Sequence, residues 1–278
     1  MREDLAEKIA HSPKKAENHR LGDEMSEDAL SWNVFVSLAE TGKLRAAAKF
    51  LVGHDIDDEP KLYLWGQRVD PTGWAVPYCY KPLEETRAKL ETGIRQFLTE
   101  LDIMLVLDDR MIILIEAKFG SGNTMADLEE NKHDKKPTSK EGLLQRYLDQ
   151  ASKRTKNIIN RDVIGERLHS QLFRNIIFGC EMSNNAEWQV VNLVSETQWN
   201  NGKHKNDKKY SFHDPSPEIN AWLCGEGVGR FHFNTWENLH RNVVAGSTEL
   251  KSLDQYLHKK SAYLKRAFKL AGNSPVGF

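Results

Sequence analysis

Apolar residues gather in short runs along this chain, and the two densest lie back to back. Leu101, Ile103, Met104, Leu105, Val106 and Leu107 are followed, after Asp108-Asp109-Arg110, by Met111-Ile112-Ile113-Leu114-Ile115 and then Glu116-Ala117-Lys118-Phe119. Aliphatic runs of this length around a polar turn predict an antiparallel hairpin. With those three polar residues in the turn, alternation sets Asp102 across from Glu116 and Glu100 across from Lys118 on one face. Leu101, Ile103, Leu105, Ile113 and Ile115 fill the other.

Helical spacing marks other segments. Ser26 is placed to cap a helix from Glu27 to about Phe50, with Leu30, Val34 and Leu38 along one face and Glu27 on the same stripe. Further helices are expected from Pro82 to Gln96, from Gly142 to Gln150 with Leu144, Tyr147 and Leu148 apolar, and from roughly Glu249 to Ala271. The last carries Leu253, Leu257, Leu264 and Phe268 on one face, with Gly272 as its stop. Lys61 to Tyr80 reads as a hairpin around Asp70-Pro71-Thr72-Gly73. Phe173 to Cys180 and Trp188 to Val194 read as later strands joined by a turn at Ser183-Asn184-Asn185. Phe231-His232-Phe233 leads into a helix near Thr235-Trp236-Glu237. These elements predict an α/β protein of the α+β type with a mixed sheet. Residues 1–25 form a polar arm, and with no Pro/Gly/Ser-rich linker beyond it, 26–278 is expected to be one domain with a C-terminal helical extension.

The hairpin also carries chemistry. Two carboxylates facing each other across a ladder repel, and so apolar a setting disfavours both unless a cation or a proton offsets the charge. Glu116 and Lys118 share that face, with Ala117 pointing away between them. Asp102 and Glu116, with the carbonyl of Ala117, make an oxygen-only set suited to Mg²⁺, with Mn²⁺ able to substitute. Carboxylates on a divalent metal beside a lysine suit phosphodiester hydrolysis, in which the lysine orients the attacking water or stabilises charge on the phosphate.

At these residues the chain resembles the PD-(D/E)xK nuclease superfamily, the restriction-endonuclease-like fold. Asp102 matches its first acidic motif and Glu116-Ala117-Lys118 its (D/E)xK element, although Leu101 stands where the family has proline. The tripeptide pattern recurs at Glu59-Pro60-Lys61, Glu130-Asn131-Lys132, Asp134-Lys135-Lys136, Asp207-Lys208-Lys209 and Glu249-Leu250-Lys251, so context selects among them. Only Glu116-Ala117-Lys118 ends an apolar strand that follows another with an in-phase aspartate. The competing reading is an ordinary hairpin with Glu116 and Lys118 solvated at a sheet end.

The resemblance implies an αβββαβ core, a further acid from the first helix and a Gln or Tyr from the helix after the lysine. Glu27 is the first candidate for that acid, Glu91 and Glu100 the alternatives; an acid in a first helical turn also suits the helix dipole without any further role. Gln145 is the choice for the later helix, with Tyr147 assigned to the core because two residues span about 200° of helix. The implied activity leaves a 5′-phosphate, in restriction, repair or phage defence, with a homodimer if both strands are cut.

Charge adds little in total, with 39 Lys+Arg against 40 Asp+Glu. Its distribution says more: Lys132–Lys140, Lys203–Lys209 and the group Lys153, Arg154, Lys156 and Arg161, just after the Gln145 helix, bracket the proposed site in sequence, as contacts to a phosphate backbone would. DNA is therefore the expected partner, with RNA as the alternative. Three cysteines without a CxxC spacing argue against a disulfide framework and for a reducing compartment. Motifs for zinc proteases, P-loop NTPases and dinucleotide binding are missing, and Gly225-Glu226-Gly227-Val228-Gly229 reads as a turn. His232 with Cys224 or His213 is a weak zinc candidate. No apolar run reaches membrane-spanning length and no signal-peptide core appears, so a cytoplasmic protein is expected. A second class of function stays in view: a non-catalytic nucleic-acid-binding or partner-docking module on the same fold.

Overall fold

The computed structural model describes residues 26–70, 79–92, 99–108, 110–127, 143–165, 167–196, 210–211, 213–263 and 268–270. The expected N-terminal arm, the lysine-rich stretches 132–140 and 203–209, and Leu264 and Gly272 lie outside them.

Ser26 caps the first helix, α1 (Glu27–Glu40), its Oγ accepting from the N–H groups of Asp28 at 3.1 Å and Ala29 at 3.4 Å. Those are donors that a helix start leaves open. Leu30, Val34 and Leu38 are buried, as their spacing predicts. The helix does not run on to Phe50. Gly42 takes a φ of 64°, the Lys43 N–H turns back to the Leu38 carbonyl at 2.7 Å, and a second helix, α2 (Leu44–Val52), begins. The Glu59 carboxylate caps it, 2.9 Å from the Leu44 nitrogen. Glycine enters the left-handed region without a Cβ clash, so one residue breaks a pattern whose apolar spacing continues through it.

Strands β1 (Lys61–Leu64) and β2 (Gln67–Val69) are antiparallel and turn at Trp65-Gly66, whose φ values of 51° and 83° suit a two-residue hairpin connection. A further antiparallel bridge, Gln67 with Cys79, spans the expected turn at Asp70-Pro71-Thr72-Gly73, of which Pro71, Thr72 and Gly73 lie outside the described residues. Helix α3 (Lys81–Leu90) stops short of the expected Gln96. Then β3 (Ile103–Leu107) and β4 (Met111–Lys118) form the central hairpin in the expected register, Leu107 opposite Met111 and Ile103 opposite Ile115.

After β5 (Asn123–Asp127), α4 (Leu143–Gln150), α5 (Lys153–Asn157) and β6 (Arg167–His169) comes α6 (Ser170–Met182). This corrects the expected strand at Phe173–Cys180, which is helical. Leu172, Phe173, Ile176, Ile177 and Cys180 are all buried and recur at helical spacing. The other side of α6 mixes Gln171, Arg174 and Asn175 with the buried Phe178 and Met182, so a short run of it mimics a buried strand. Gly179 lets it lie close, since a Cβ there would meet Leu114 Cδ1 at 3.1 Å.

The left-handed residues Asn184 and Asn185 turn the chain into β7 (Glu187–Val194) as expected. The chain then runs through β8 (Tyr210–Ser211), α7 (Ser216–Trp222), a 3₁₀ turn at Gly225–Gly227, β9 (Phe231–Thr235), α8 (Trp236–Leu239), a π-helical segment His240–Val244 and α9 (Lys251–Tyr263).

The main sheet has the order β2-β1-β3-β4-β7-β9. Its first four strands are antiparallel neighbours, whereas β7 lies parallel to β4 and β9 parallel to β7. The fold is therefore mixed α/β. One apolar layer joins Leu30, Val34, Phe35 and Leu257 to Ile103, Leu105, Ile113 and Ile115, and a second joins Tyr147, Phe173, Ile176 and Phe178 to Met104, Ile112, Leu114 and Val190. Every residue of β4 is buried, which accounts for its unbroken apolar run: helices cover both of its faces. No helix among the described residues is long and apolar enough to cross a membrane.

Candidate active site

The centre of interest is the carboxyl end of β4. Alternation along the strand sends Glu116 and Lys118 to one face and Ala117 into the apolar layer on the other. Asp102 immediately precedes β3. Its carbonyl accepts from the Trp65 N–H at 3.2 Å, and its Oδ2 accepts from the Ala117 N–H at 3.0 Å. Glu27 arrives from the first turn of α1, where Oε2 accepts from the Phe119 N–H at 2.8 Å and the Ser121 hydroxyl at 3.3 Å. The N-cap at Ser26 sets the start of the helix that carries it.

Three carboxylates therefore surround one ammonium. Lys118 Nζ lies 2.6 Å from Glu116 Oε1, 3.6 Å from Glu27 Oε1 and 4.0 Å from Asp102 Oδ2. Glu116 is fully buried and Lys118 nearly so. Burial pushes the Asp102 carboxyl well above the usual range, helped by the charges of Glu116 and Glu27, while Lys118 and the Ala117 N–H only partly oppose this. Burial alone would lower Lys118, but the charges of Glu116, Glu27 and Asp102 outweigh it and hold the ammonium protonated above its ordinary pKa. The cluster is short of positive charge.

Glu116 is held on both oxygens. Gln171 Nε2 donates to Oε1, and Asn175 Nδ2 donates to Oε2 at 2.9 Å. Both amides come from α6, one turn apart, and Gln171 Oε1 in turn accepts from the Thr124 hydroxyl at 3.2 Å. These residues take the place expected for Gln145, whose amide instead donates to Asp149 at 2.9 Å. Asn175 is hidden within the expected strand Phe173–Cys180, and Gln171 stands two residues before it. The available signal was the polar pair at four-residue spacing opposite Leu172, Phe173, Ile176 and Ile177.

The alternative acid Glu91 is buried elsewhere, accepting from the Thr99 N–H at 2.9 Å and the Tyr147 hydroxyl at 2.7 Å. Tyr147 is core, as expected. Glu100 lies outside the paired ladder, which begins at Ile103. Among the basic residues expected to meet phosphate, Arg154 is engaged by Ser183 Oγ at 2.9 Å and by Glu226, and Lys156 donates to the Asp149 carbonyl at 2.7 Å. The weak zinc candidate dissolves: His232 pairs with Gln189 at 2.8 Å and the Cys224 thiol with the Asn157 carbonyl at 3.2 Å.

Oxygen donors from Asp102, Glu116 and Glu27, short of positive charge, fit a hard divalent cation. The fit asks for movement. Among the described residues, the only set of three His, Cys, Asp or Glu with ligand atoms all within 4.8 Å of one another is His240, Asp254 and His258. The three acids stand wider apart, and Lys118 occupies the Glu116 oxygen that a metal would take. The chain matches no protein-family model, no curated protein and no solved structure.

Proposed function

We propose that the chain is a metal-dependent nuclease of the PD-(D/E)xK type, hydrolysing phosphodiester bonds of DNA. The observation that carries this reading is the convergence of Asp102, Glu116, Lys118 and Glu27 at the end of one buried strand, with more negative than positive charge. The arrangement of elements supports it: α1, then β1, β3 and β4 antiparallel, then α6 and the parallel β7, in the αβββαβ order that the family resemblance implies.

Asp102 and Glu116 would hold Mg²⁺ or Mn²⁺, with Glu27 and the Ala117 carbonyl as further oxygens. Bound there, the ion would supply Lewis-acid charge for the phosphate and a more acidic water. The chain's own part follows from its contacts. Gln171 and Asn175 fix the Glu116 carboxylate, since each of its oxygens has a donor. Lys118, kept protonated, acts by donating hydrogen bonds to water and phosphate oxygens and not by abstracting a proton. Asp102 must give up its proton to become a ligand. The three cysteines are free, which suits a cytoplasmic protein working in restriction, repair or phage defence, as a homodimer if both strands are cut.

The test is cleavage of supercoiled, linear duplex and single-stranded DNA in Mg²⁺, Mn²⁺ or EDTA, beside folded Asp102→Ala and Lys118→Ala variants. Cleavage by wild type alone, abolished by EDTA, is the expected outcome. One observation favours a second reading, a non-catalytic nucleic-acid-binding or docking module: the Lys118–Glu116 ion pair closes the position a metal would use. DNA affinity without cleavage or metal binding at Asp102 would establish that alternative. Cleavage of RNA alone would move the substrate.

A further inference from the structure

On the far side of the strand that carries Lys118, the chain leaves β9 through α8 and then widens into the π-helical segment His240–Val244. Such widened turns recur where a side chain is being aimed at a site. Here the first residue is His240, buried with Leu239 and Val244 beside it. Its Nε2 lies 2.6 Å from Asp254 Oδ1 on α9, and His258 Nε2, one turn further along that helix, lies 3.6 Å from the same oxygen. The three ligand atoms all fall within 4.8 Å of one another. The two imidazole rings stand edge to face with centroids 5.3 Å apart.

We propose that His240, Asp254 and His258 form a tetrahedral Zn²⁺ site, with water as the fourth ligand, that clamps α9 to the segment following β9. Bonds of about 2.0–2.2 Å to two imidazoles and a carboxylate place tetrahedral ligand atoms roughly 3.3 Å apart. The observed separations bracket that value, so small side-chain rotations close the site. Two nitrogen donors favour Zn²⁺ over the oxygen-seeking Mg²⁺ of the acidic cluster. Asp254 and His258 each keep about a third of their side-chain surface exposed, leaving solvent access for the ion and its water. Asp254 and His258, four residues apart on α9, present their donors on one helical face, the spacing by which helices commonly offer two metal ligands.

The clamp bears on the candidate active site through α8. Trp236 Nε1 donates to the Lys118 carbonyl at 3.2 Å, and the Glu237 carboxylate accepts from the Ser195 hydroxyl at 3.2 Å and the Glu196 N–H at 2.9 Å. A metal at His240 therefore braces the element that backs the end of β4. The zinc site itself does not depend on the nuclease reading.

The test uses the full chain stripped of metal, titrated with Zn²⁺ against a chromophoric chelator and with Co²⁺ as a spectroscopic substitute. His258→Ala removes a partly exposed ligand without opening the core, and Asp102→Asn disables the acidic cluster. We expect the intense visible bands of tetrahedral Co²⁺ in wild type and Asp102→Asn but not in His258→Ala, with Zn²⁺ affinity in His258→Ala down by more than about tenfold, at least the loss seen when even an outer-shell partner is removed. Zn²⁺ should raise the Tm of wild type and Asp102→Asn but not that of His258→Ala. Zn²⁺ binding equally well to His258→Ala, or no binding by wild type, would overturn the proposal and leave His240 and Asp254 as a simple hydrogen-bonded pair. DNA cleavage appears in neither criterion, so failure of the nuclease reading leaves this one standing, and the reverse.

Discussion

Two carboxylates are buried on the same side of the central sheet and are treated in opposite ways. Glu91 meets neutral donors, the Thr99 N–H and hydroxyl and the Tyr147 hydroxyl, with both of its oxygens served. Glu116 meets a cation and two amides, but Asp102 and Glu27 crowd the same ammonium. The first group is complete: its hydrogen bonds compensate for burial, and Tyr147 is pushed up in pKa, first by burial and then by the Glu91 charge, so it stays a donor. The second keeps a surplus of negative charge in a buried setting. Burial of a carboxylate is thus not by itself a sign of chemistry; burial with charge left uncompensated is.

The comparison breaks most visibly in activity. Asp102→Ala or Lys118→Ala should reduce DNA cleavage by at least about 10³-fold, the upper range for removing one transition-state donor. Glu91→Gln should leave kcat/KM within about threefold; equal losses at the two sites would erase the distinction. Gln171→Ala should cost about 10–100-fold, as loss of a residue that orients a ligand does, whereas Gln145→Ala should change nothing measurable. Steady-state kinetics on one duplex substrate decides each case.

Stability should move in opposite directions. Glu91→Gln replaces an acceptor with an amide that cannot satisfy all of its donors, so the protein should lose about 1–3 kcal/mol in denaturant unfolding. Asp102→Asn removes a carboxyl disfavoured by burial and like charge, and the metal-free protein should gain about 1–2 kcal/mol while losing activity. A loss of stability in Asp102→Asn would mean that the cluster is balanced as it stands.

The smallest effect is in pH. Asp102 has a folded pKa above its ordinary value of 3.8, so the folded state holds a proton that the unfolded state has released. Its contribution to stability is fully present below the ordinary value and is lost as pH rises towards the raised one. Mg²⁺ binding must expel that proton, so Mg²⁺ affinity should climb with pH over the same interval, measured by calorimetry in buffers of different ionisation enthalpy. In Asp102→Asn the residual affinity should lack this component.

Not every element announced itself equally. The β3–β4 register was legible because a three-residue polar turn and strict alternation leave little choice once one face is apolar. The Ser26 cap was legible because its hydroxyl acts on residues two and three positions away. The break at Gly42 is hidden, since apolar spacing continues across it, and Phe173–Cys180 reads as a strand, since Phe178 and Met182 interrupt the polar side that would mark the helical period. With α6 went Gln171 and Asn175.

By itself, then, the sequence determined the local geometry that sets Asp102 near Glu116 and puts Lys118 on the same face, because pleat and turn act over a few residues. Which distant groups complete the cluster was decided by the tertiary structure. Glu27 reaches Phe119 only because α1 packs at the end of β4; the long crossover carrying α6 brings Gln171 to Glu116 and leaves Gln145 at Asp149. Glu91 and Glu27 are both acids at ends of helices flanking the same sheet, and only packing tells them apart: one is delivered to neutral donors, the other to a crowded ammonium. Side-chain chemistry is written in the chain, but the charge balance that gives it a use arises where distant segments meet.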